Sequence, residues 1–253
     1  MVPLTLILVT AIIFALAFLF SMLGLGGALL YVPLLKWFHF DLKTVAIPTA
    51  LLLNGLTALS ASISYLRARM VDVQGAIPLI LTSTVGASVG ALCTQYVPTD
   101  TLIILFSIGM IVAGGRMLFS TNRSEAQSLA PLKKRLIATA ISGFFIGYIA
   151  GLLGVGGGFL IVPVLIALGY PTKRAAATSA FTVVFSSFSG FFTHALTGHF
   201  FLPLLLSASV AVIVASQLGA KVMREKMKAI WIKRLFGLVL IGTAGKLLWP
   251  LLH

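Results

Sequence analysis

The sequence predicts an all-α integral membrane protein built from two copies of one unit. Of its 253 residues, 59% are apolar and only 9% are charged, and the mean hydropathy is +1.11. A soluble domain could not cover so much apolar surface with so few polar side chains. A glycine-rich run also occurs twice within otherwise apolar stretches, which indicates an internal repeat.

The repeated run is GLGGA from Gly24 and GVGGG from Gly154, and each is followed by an apolar piece that ends near a Val-Pro pair. Several glycines this close together interrupt a membrane helix and leave backbone groups without helical partners. Such broken helices are tolerated at membrane depth only where they pack in protein or line a cavity. The two glycine loops are therefore the first candidates for a binding site.

Each copy contains five hydrophobic segments in the same order. They cover residues 4–22, 28–38, 43–66, 75–96 and 101–118 in the first copy, and 136–153, 159–169, 174–197, 201–222 and 231–252 in the second. The second segment of each copy has only half the length that crosses a bilayer. Together with the first segment it either crosses twice or dips in and returns.

The predicted units are a first membrane repeat at residues 1–118, a cytoplasmic linker at 119–135 and a second membrane repeat at 136–253. The linker is polar and basic. The first twenty residues have no basic region ahead of their apolar run and no clear cleavage site, so they are predicted to be a retained span rather than a signal peptide.

An odd number of segments per copy means that the second copy enters the membrane from the opposite side, as an inverted repeat. Basic residues favour the cytoplasmic side. With both termini outside and the linker inside, all 18 basic residues except Lys36, Lys43 and Lys246 fall inside. The sequence therefore predicts a multi-pass protein of the plasma (inner) membrane, and the net charge of +13 reflects orientation rather than nucleic-acid binding.

The chemistry of the broken helices favours anions. A short helix that starts after a glycine loop begins with amide N–H groups that have no intrahelical acceptor, and its dipole adds partial positive charge there. The alternative is that the glycines only permit close helix packing. The candidate substrate-binding residues in the two loops are Gly24, Gly26, Gly27, Ala28, Gly154, Gly156, Gly157 and Gly158.

Polar side chains along the third segment of each copy are the second candidate group. Hydroxyls and amides can bind an oxyanion without placing a permanent charge in lipid. They also serve as hydrogen-bonding glue between helices. From this set, which also includes Ser186 and Ser187, we select Thr49, Asn54, Ser179 and Thr182 as substrate-binding candidates because they lie near the start of their helices.

His194 is the titratable side chain within a span that could couple transport to a proton. It aligns with Ser64 at the common offset of 130 residues. A single histidine near the end of a span can equally be an interfacial group bonded to the backbone. Both interpretations stay open.

Several function classes are disfavoured. All five carboxylates lie in loops or at segment ends, so no span offers an acidic site for a cation. The single cysteine, Cys93, and the scattered histidines provide no metal-ligand cluster. No hydrolytic triad, zinc motif or phosphate loop occurs, so we expect no enzyme activity, cofactor or metal.

Residues 154–163 carry a signature of the type G-x-G-G-G-x-x-x-V-P, and the first copy carries it with Ala28 in place of the last glycine. In this signature the chain resembles the TauE/SafE family of sulfite and organosulfonate exporters. The resemblance implies a plasma-membrane permease for small sulfur-containing anions such as sulfite or sulfoacetate. The hypothesis is a secondary transporter with alternating access around the two loops. An anion channel and a non-transporting membrane scaffold or partner subunit are the alternatives. The partners considered are the small anion, the lipid bilayer and a second copy of the chain, but no nucleic acid.

Overall fold

The computed structural model describes residues 3–119, 129–196, 200–226 and 228–252. Regular structure within these ranges is entirely helical, which confirms the all-α prediction. The ten α-helices are α1 (Pro3–Leu23), α2 (Ala28–Trp37), α3 (Ile47–Arg67), α4 (Val73–Cys93), α5 (Thr99–Leu118), α6 (Leu132–Leu153), α7 (Gly158–Ala167), α8 (Thr172–Ala195), α9 (Leu202–Glu225) and α10 (Ala229–Leu252). A π-helical turn at Leu42–Ala46 precedes α3, and a 3₁₀ turn at Thr94–Tyr96 follows α4.

Six helices in the described part of the chain, α1, α3, α4, α6, α8 and α9, are long and apolar enough to cross a membrane. The protein is therefore a multi-pass membrane protein. The short helices α2 and α7 have 10 residues each, or about 15 Å at 1.5 Å per residue. They can cover only about half of the hydrocarbon core.

Most of the predicted linker, residues 120–128, lies outside the described residues, as do both chain ends. α6 begins at Leu132, so the basic residues Lys133, Lys134 and Arg135 belong to its first turn rather than to a loop. The division into two repeats and a linker, and the side of the membrane on which each end lies, stay predictions.

The two copies interlock through their third helices. α3 packs against α8, and each of them also packs against a helix of the other copy, α3 against α9 and α8 against α4. Around this centre, α1 pairs with α9 and α6 pairs with α4. In both pairs, the first α-helix of one copy packs against the fourth α-helix of the other copy. The core therefore forms mainly between the copies, although α7 also packs on α8 within the second copy.

Glycines set the close approach of the outer pairs. A Cβ on Gly90 of α4 would lie 2.0 Å from the carbonyl oxygen of Tyr148 on α6, and one on Gly219 of α9 would lie 2.2 Å from that of Phe18 on α1. Small residues bring membrane helices together in this way, where no hydrophobic force drives helices out of lipid. These glycines have the packing role that we considered as the alternative for the loop glycines.

Equivalent contacts define how the copies correspond. The Tyr65 hydroxyl donates to the carbonyl oxygen of Ser21, and His194 Nε2 lies 3.1 Å from that of Gly151. Ser21 and Gly151 correspond at an offset of 130, whereas Tyr65 and His194 correspond at 129. The predicted pairing of His194 with Ser64 is therefore wrong by one residue.

The π-helical turn explains this shift. Before it the offset is 130, since Phe40 N bonds to Leu35 O as Tyr170 N bonds to Leu165 O. A π turn accommodates one extra residue, and the extra residue of the first copy lies at Leu42–Ala46. Along α3 and α8, and along α4 and α9, the equivalent residues are 129 apart. The opposite orientation of the copies in a bilayer stays a prediction.

Candidate functional site

Each glycine loop ends one long helix and starts one short helix. α1 ends at Leu23 and α2 begins at Ala28, while α6 ends at Leu153 and α7 begins at Gly158. The turns need left-handed backbone, with φ of 71° at Gly26 and 69° at Gly156. Only glycine adopts this conformation without strain, which explains why the run occurs in both copies.

The two loops meet at one side chain, Asn54 of α3. Its Oδ1 accepts hydrogen bonds from the backbone amides of Gly27 and Ala28, the latter at 2.8 Å. A Cβ on Gly26 would lie 1.9 Å from Asn54 Oδ1, and one on Gly156 would lie 2.1 Å from Asn54 Nδ2. Both glycines are therefore required for the loops to approach the same carboxamide.

Asn54 also connects the two copies directly. Its Nδ2 donates to the Oγ of Ser187 on α8 at 2.7 Å. The loops touch each other as well, because a Cβ on Gly158 would lie 2.7 Å from the Cα of Leu25. The sequence-selected loop residues and Asn54 thus form one contiguous group at the interface between the copies.

The second loop lacks the cap that the first loop has. The residue equivalent to Asn54 is Val183, whose Cγ1 would lie 3.2 Å from a Cβ on Gly156, and valine accepts no hydrogen bond. Across the ranges described here, the backbone amides of residues 156–159 have no hydrogen-bond acceptor. The start of α7 is therefore a run of uncapped donors.

Two serines bind the carbonyl groups of this same loop. Ser186 Oγ donates to the carbonyl oxygen of Gly156 at 2.9 Å, and Ser179 Oγ lies 3.4 Å from that of Gly158. These carbonyl oxygens of the second loop therefore accept hydrogen bonds, while the amide N–H groups of residues 156–159 have no acceptor within the described chain. Together with the N-terminal dipoles of α2 and α7, this arrangement favours negative charge.

The site is buried inside the protein. Asn54, Ser179 and Ser187 each have 0% of their surface exposed. No side chain with a full charge contributes to the contacts given above, so the site consists of neutral donors. Neutral donors avoid the free-energy cost of holding an unpaired charge at membrane depth.

The other selected side chains lie farther from this centre. Thr182 Oγ1 bonds back to the carbonyl oxygen of Thr178 at 3.1 Å, which is ordinary helix back-bonding. Thr49 is buried on α3, and its hydroxyl makes no hydrogen bond to either loop among the residues described. His194 contacts the carbonyl oxygen of Gly151, one turn before the second loop.

Sequence reasoning gave Ser186 and Ser187 too little weight. Both belonged to the polar set on α8, but the selection favoured residues near the helix start, whereas these lie more than three turns in. Sequence reasoning also missed Tyr31, a polar residue beside the first loop whose hydroxyl lies 3.2 Å from Thr57 Oγ1. Its ring fills the space beside Gly27, because a Cβ there would lie 2.0 Å from Tyr31 Cζ.

A polar cluster that the sequence did not indicate closes one end of the molecule. Asp72, before α4, forms an ion pair with Arg135 of α6 at 3.1 Å and accepts a hydrogen bond from the Tyr170 hydroxyl at 2.6 Å. The Arg135 guanidinium lies 5.3 Å from the centroid of the Tyr170 ring. The Asp72 amide donates to Thr178 Oγ1 at 3.0 Å, which ties α8 to the same cluster.

The electrostatics of this cluster favour the charged carboxylate. Partial burial alone would raise the pKa of Asp72, but the hydrogen bonds from Tyr170 and Gly75 and the charges of Arg135 and Arg174 outweigh burial and lower that pKa. Burial and the neighbouring Asp72 raise the pKa of the Tyr170 phenol, so it stays a hydrogen-bond donor.

Comparison with known proteins identifies the family. A family model described as sulfite exporter TauE/SafE matches residues 9–247. The chain belongs to the TauE/SafE family. The protein is therefore a member of a family of membrane transporters.

Individual TauE/SafE relatives are similar over most of the chain. The probable membrane transporter protein YunE of Bacillus subtilis is 28% identical over 256 aligned positions, which cover 90% of this chain and 92% of that protein. The probable membrane transporter protein MJ0441 of Methanocaldococcus jannaschii is 24% identical, with 83% of each chain covered. The sulfite exporter TauE/SafE family protein 3 of Arabidopsis thaliana is 32% identical over 96 positions, which cover 38% of this chain and 20% of that protein. No solved structure matches the chain.

Proposed function

We propose that the protein is a secondary transporter that exports small sulfur-containing anions such as sulfite or organosulfonates. The observation that carries this proposal is the meeting of two glycine loops at Asn54, where backbone and side-chain donors gather and the second loop supplies no acceptor for its own amides. A site that offers donors and no carboxylate selects anions over cations. The family name points to the sulfur chemistry of the substrate.

The anion would bind at the second loop. An oxyanion presents several acceptor oxygens, and hydrogen bonds to a charged acceptor are about twice as strong as neutral ones. The donors available to it are the amides at the start of α7 and the second N–H of Asn54 Nδ2, of which only one is used by Ser187. Ser187, which that bond orients, has a hydroxyl within the same group.

Burial of the site favours a transporter over a channel. A pore that passed these residues while open would expose them to water, whereas Asn54 and Ser187 are fully buried. A substrate reaches them only if the helices move. Because the core lies between the copies, we propose that α3 and α8 shift against each other to open the site alternately to the two sides.

We further propose the plasma membrane as the location, with both termini outside and the linker inside. The support is the distribution of basic residues. The Asp72–Arg135–Tyr170 cluster would then lie at the cytoplasmic end and would be broken when the protein opens inward. Breaking it would require another group to solvate the Asp72 carboxylate.

The test is sulfite counterflow in proteoliposomes with Ser187→Ala as the diagnostic variant. Loss of the Ser187 hydroxyl removes one donor and frees Asn54 Nδ2, so we expect the KM for sulfite to rise about fivefold, the effect of one hydrogen bond of about 1 kcal/mol. Ser142→Ala is the matched control, since Ser142 Oγ bonds only within its own helix, at 2.6 Å from Ala138 O.

The same experiment separates the alternatives. Saturable flux with counterflow supports a transporter, whereas flux that neither saturates nor shows counterflow would make the protein a channel. A folded wild-type protein that neither moves any of sulfite, sulfoacetate, taurine and sulfate nor gains thermal stability from them would reject transport in favour of a scaffold.

A further inference from the structure

A cavity of about 340 Å³ opens at the end of the molecule opposite the Asp72 cluster. Its volume falls within the roughly 300–1,000 Å³ that small-molecule sites occupy. Three elements form its wall: the π-helical turn before α3, the end of α4 with its 3₁₀ turn, and the last turn of α8. The polar lining residues are Lys43, Thr44, Thr94, Gln95, Thr193 and His194.

Among the described residues, Lys43 is the one fully charged side chain in the cavity lining, and the nearby Asp41 carboxylate interacts with its charge. The Nζ of Lys43 lies 3.4 Å from the carbonyl oxygen of Gln95. The carboxylate nearest in sequence, Asp41, accepts hydrogen bonds from both the amide and the hydroxyl of Thr44, at 2.8 and 2.6 Å. Asp41 is thus engaged in starting the π-helical turn and is not part of the cavity lining.

Two lining residues of the cavity contact the last turn of α6, immediately before the second glycine loop. Carbonyl oxygens at a helix C-terminus carry partial negative charge, which would repel an anion. Here, His194 Nε2 contacts the carbonyl oxygen of Gly151 at 3.1 Å, and Thr94 Oγ1 donates to that of Leu152 at 3.1 Å. Since a carbonyl only accepts, Nε2 carries the proton, and the two side chains neutralise these carbonyl groups.

The π-helical turn forms one wall of the cavity. It contributes Lys43 and Thr44, which lie beside the ends of α4 and α8. The same segment continues into Ile47, whose Cγ2 would lie 2.7 Å from a Cβ on Gly154. The cavity wall and the second loop are therefore built on one continuous piece of backbone.

We infer that this cavity is a peripheral binding site for small oxyanions and sulfonates, in which Lys43 holds the anion before it enters or after it leaves the second glycine loop. The inference rests on the proposed transport function. Lys43 supplies the charge and, through the N–H groups of Nζ, the hydrogen-bond donors, while His194 and Thr94 prevent repulsion by the α6 carbonyl groups. Because Lys43 is one of only three basic residues predicted on the outer side, this site would serve release during export.

A reactivity experiment tests the cavity without transport. Thr193→Cys in a Cys93→Ala background places the only thiol on the cavity wall, and its modification is timed with an anionic sulfonatoethyl and a cationic trimethylammonium methanethiosulfonate. We expect the anionic reagent to react faster, and Lys43→Gln to lower the ratio of the two rates by about tenfold, because the charge acts oppositely on the two reagents. Sulfoacetate should slow the modification when Lys43 is present.

Two controls make the result decisive. Lys173→Gln removes a charge of the same sign at the start of α8, about 30 Å away along that helix, where Lys173 Nζ lies 3.2 Å from the Arg224 carbonyl oxygen. It should leave the rate ratio unchanged, and Lys43→Arg should retain it. If Thr193→Cys does not fold, Gln95→Cys on the opposite wall is used. Equal rates for both reagents, or no protection by sulfoacetate, overturn the inference.

Flux measurements distinguish this inference from the proposed function. In proteoliposomes, Lys43→Gln should raise the KM severalfold for sulfite presented on the Lys43 side and leave the KM on the other side unchanged. Wild-type protein that moves no anion refutes the transport proposal itself. Normal wild-type transport that Lys43→Gln leaves unchanged on both sides refutes only the peripheral site.

Discussion

The two glycine loops have the same backbone break but differ in how their amide groups are satisfied. In the first loop, Asn54 Oδ1 accepts from Gly27 and Ala28 and so takes the place that an anion would occupy at the start of α2. In the second loop, the equivalent residue is Val183, and the amides at the start of α7 have no acceptor within the described chain.

If the second loop binds the anion as we propose, this difference separates a structural loop from a functional one. Both short helices start after a glycine loop, and burying unsatisfied amide donors at such a start costs free energy. The first copy removes the cost with a side chain of its own. The second copy retains its donors, which a substrate oxyanion can satisfy. Asn54 accepts from the amides of the first loop, while its Nδ2 donates to Ser187 of α8.

The largest effect is expected from Gly156→Ala, which removes the close approach of the second loop to Asn54. The new Cβ would lie 2.1 Å from Asn54 Nδ2 and 2.5 Å from Ser187 Oγ, at a φ of 69°. We expect sulfite counterflow to be lost and the melting temperature to fall. A larger residue, such as valine at Gly156 or Gly26, would disturb the fold as well as the site and is therefore less informative. Gly245→Ala on α10, where a Cβ meets nothing within 4 Å, should change neither quantity.

Asn54→Leu tests the structural side of the comparison. Leucine has a similar size but leaves the amides of Gly27 and Ala28 without an acceptor, at about 1–3 kcal/mol for each buried donor. We expect a lower free energy of unfolding in detergent and strongly reduced transport. A variant as stable as the wild type would contradict the capping role. Thr49→Val, on the same helix but without a bond to either loop, is the control.

The sequence predicted the helices and glycine loops of the two copies better than it predicted which residues of the two copies are equivalent. Composition and the repeated glycines were enough for the all-α membrane fold, the two short helices and the loop residues, because apolar length and glycine conformation are local properties. A single offset of 130 pairs His194 with Ser64, whereas the contacts pair it with Tyr65, and they pair Asn54 with Val183. The π-helical turn that causes the shift depends on packing, and one residue rotates a helix face by about 100°.

Val183→Asn would make the second loop like the first. The asparagine carboxamide can accept from the amides of Gly157 and Gly158, as Asn54 accepts from Gly27 and Ala28. We expect a more stable protein with about tenfold weaker apparent affinity for sulfite, because the new side chain competes with the anion for its donors. Val183→Thr is the control, since its hydroxyl is too short to bridge both amides. Unchanged affinity in Val183→Asn would remove the second loop from the proposed site.

The smallest effect on transport, and a clear one on stability, is expected from Asp72→Asn. The polar cluster at this end has no equivalent in the other copy, where Phe40 and Phe201 correspond to Tyr170 and Asp72. Because the folded-state pKa of Asp72 is lowered, its stabilisation is present above the unfolded-state pKa of about 3.9 and is lost as the pH falls through the folded-state value. We expect the wild type to exceed the variant by about 1–3 kcal/mol at neutral pH, with the gap closing below about pH 4. Thermal unfolding across this pH range measures it. Glu225→Gln is the control, because Glu225 pairs with Arg224 at the surface, at 3.5 Å, and its loss should change the free energy of unfolding little at any pH. If the stability difference between wild type and Asp72→Asn did not depend on pH, the carboxylate charge would contribute nothing to closing this end.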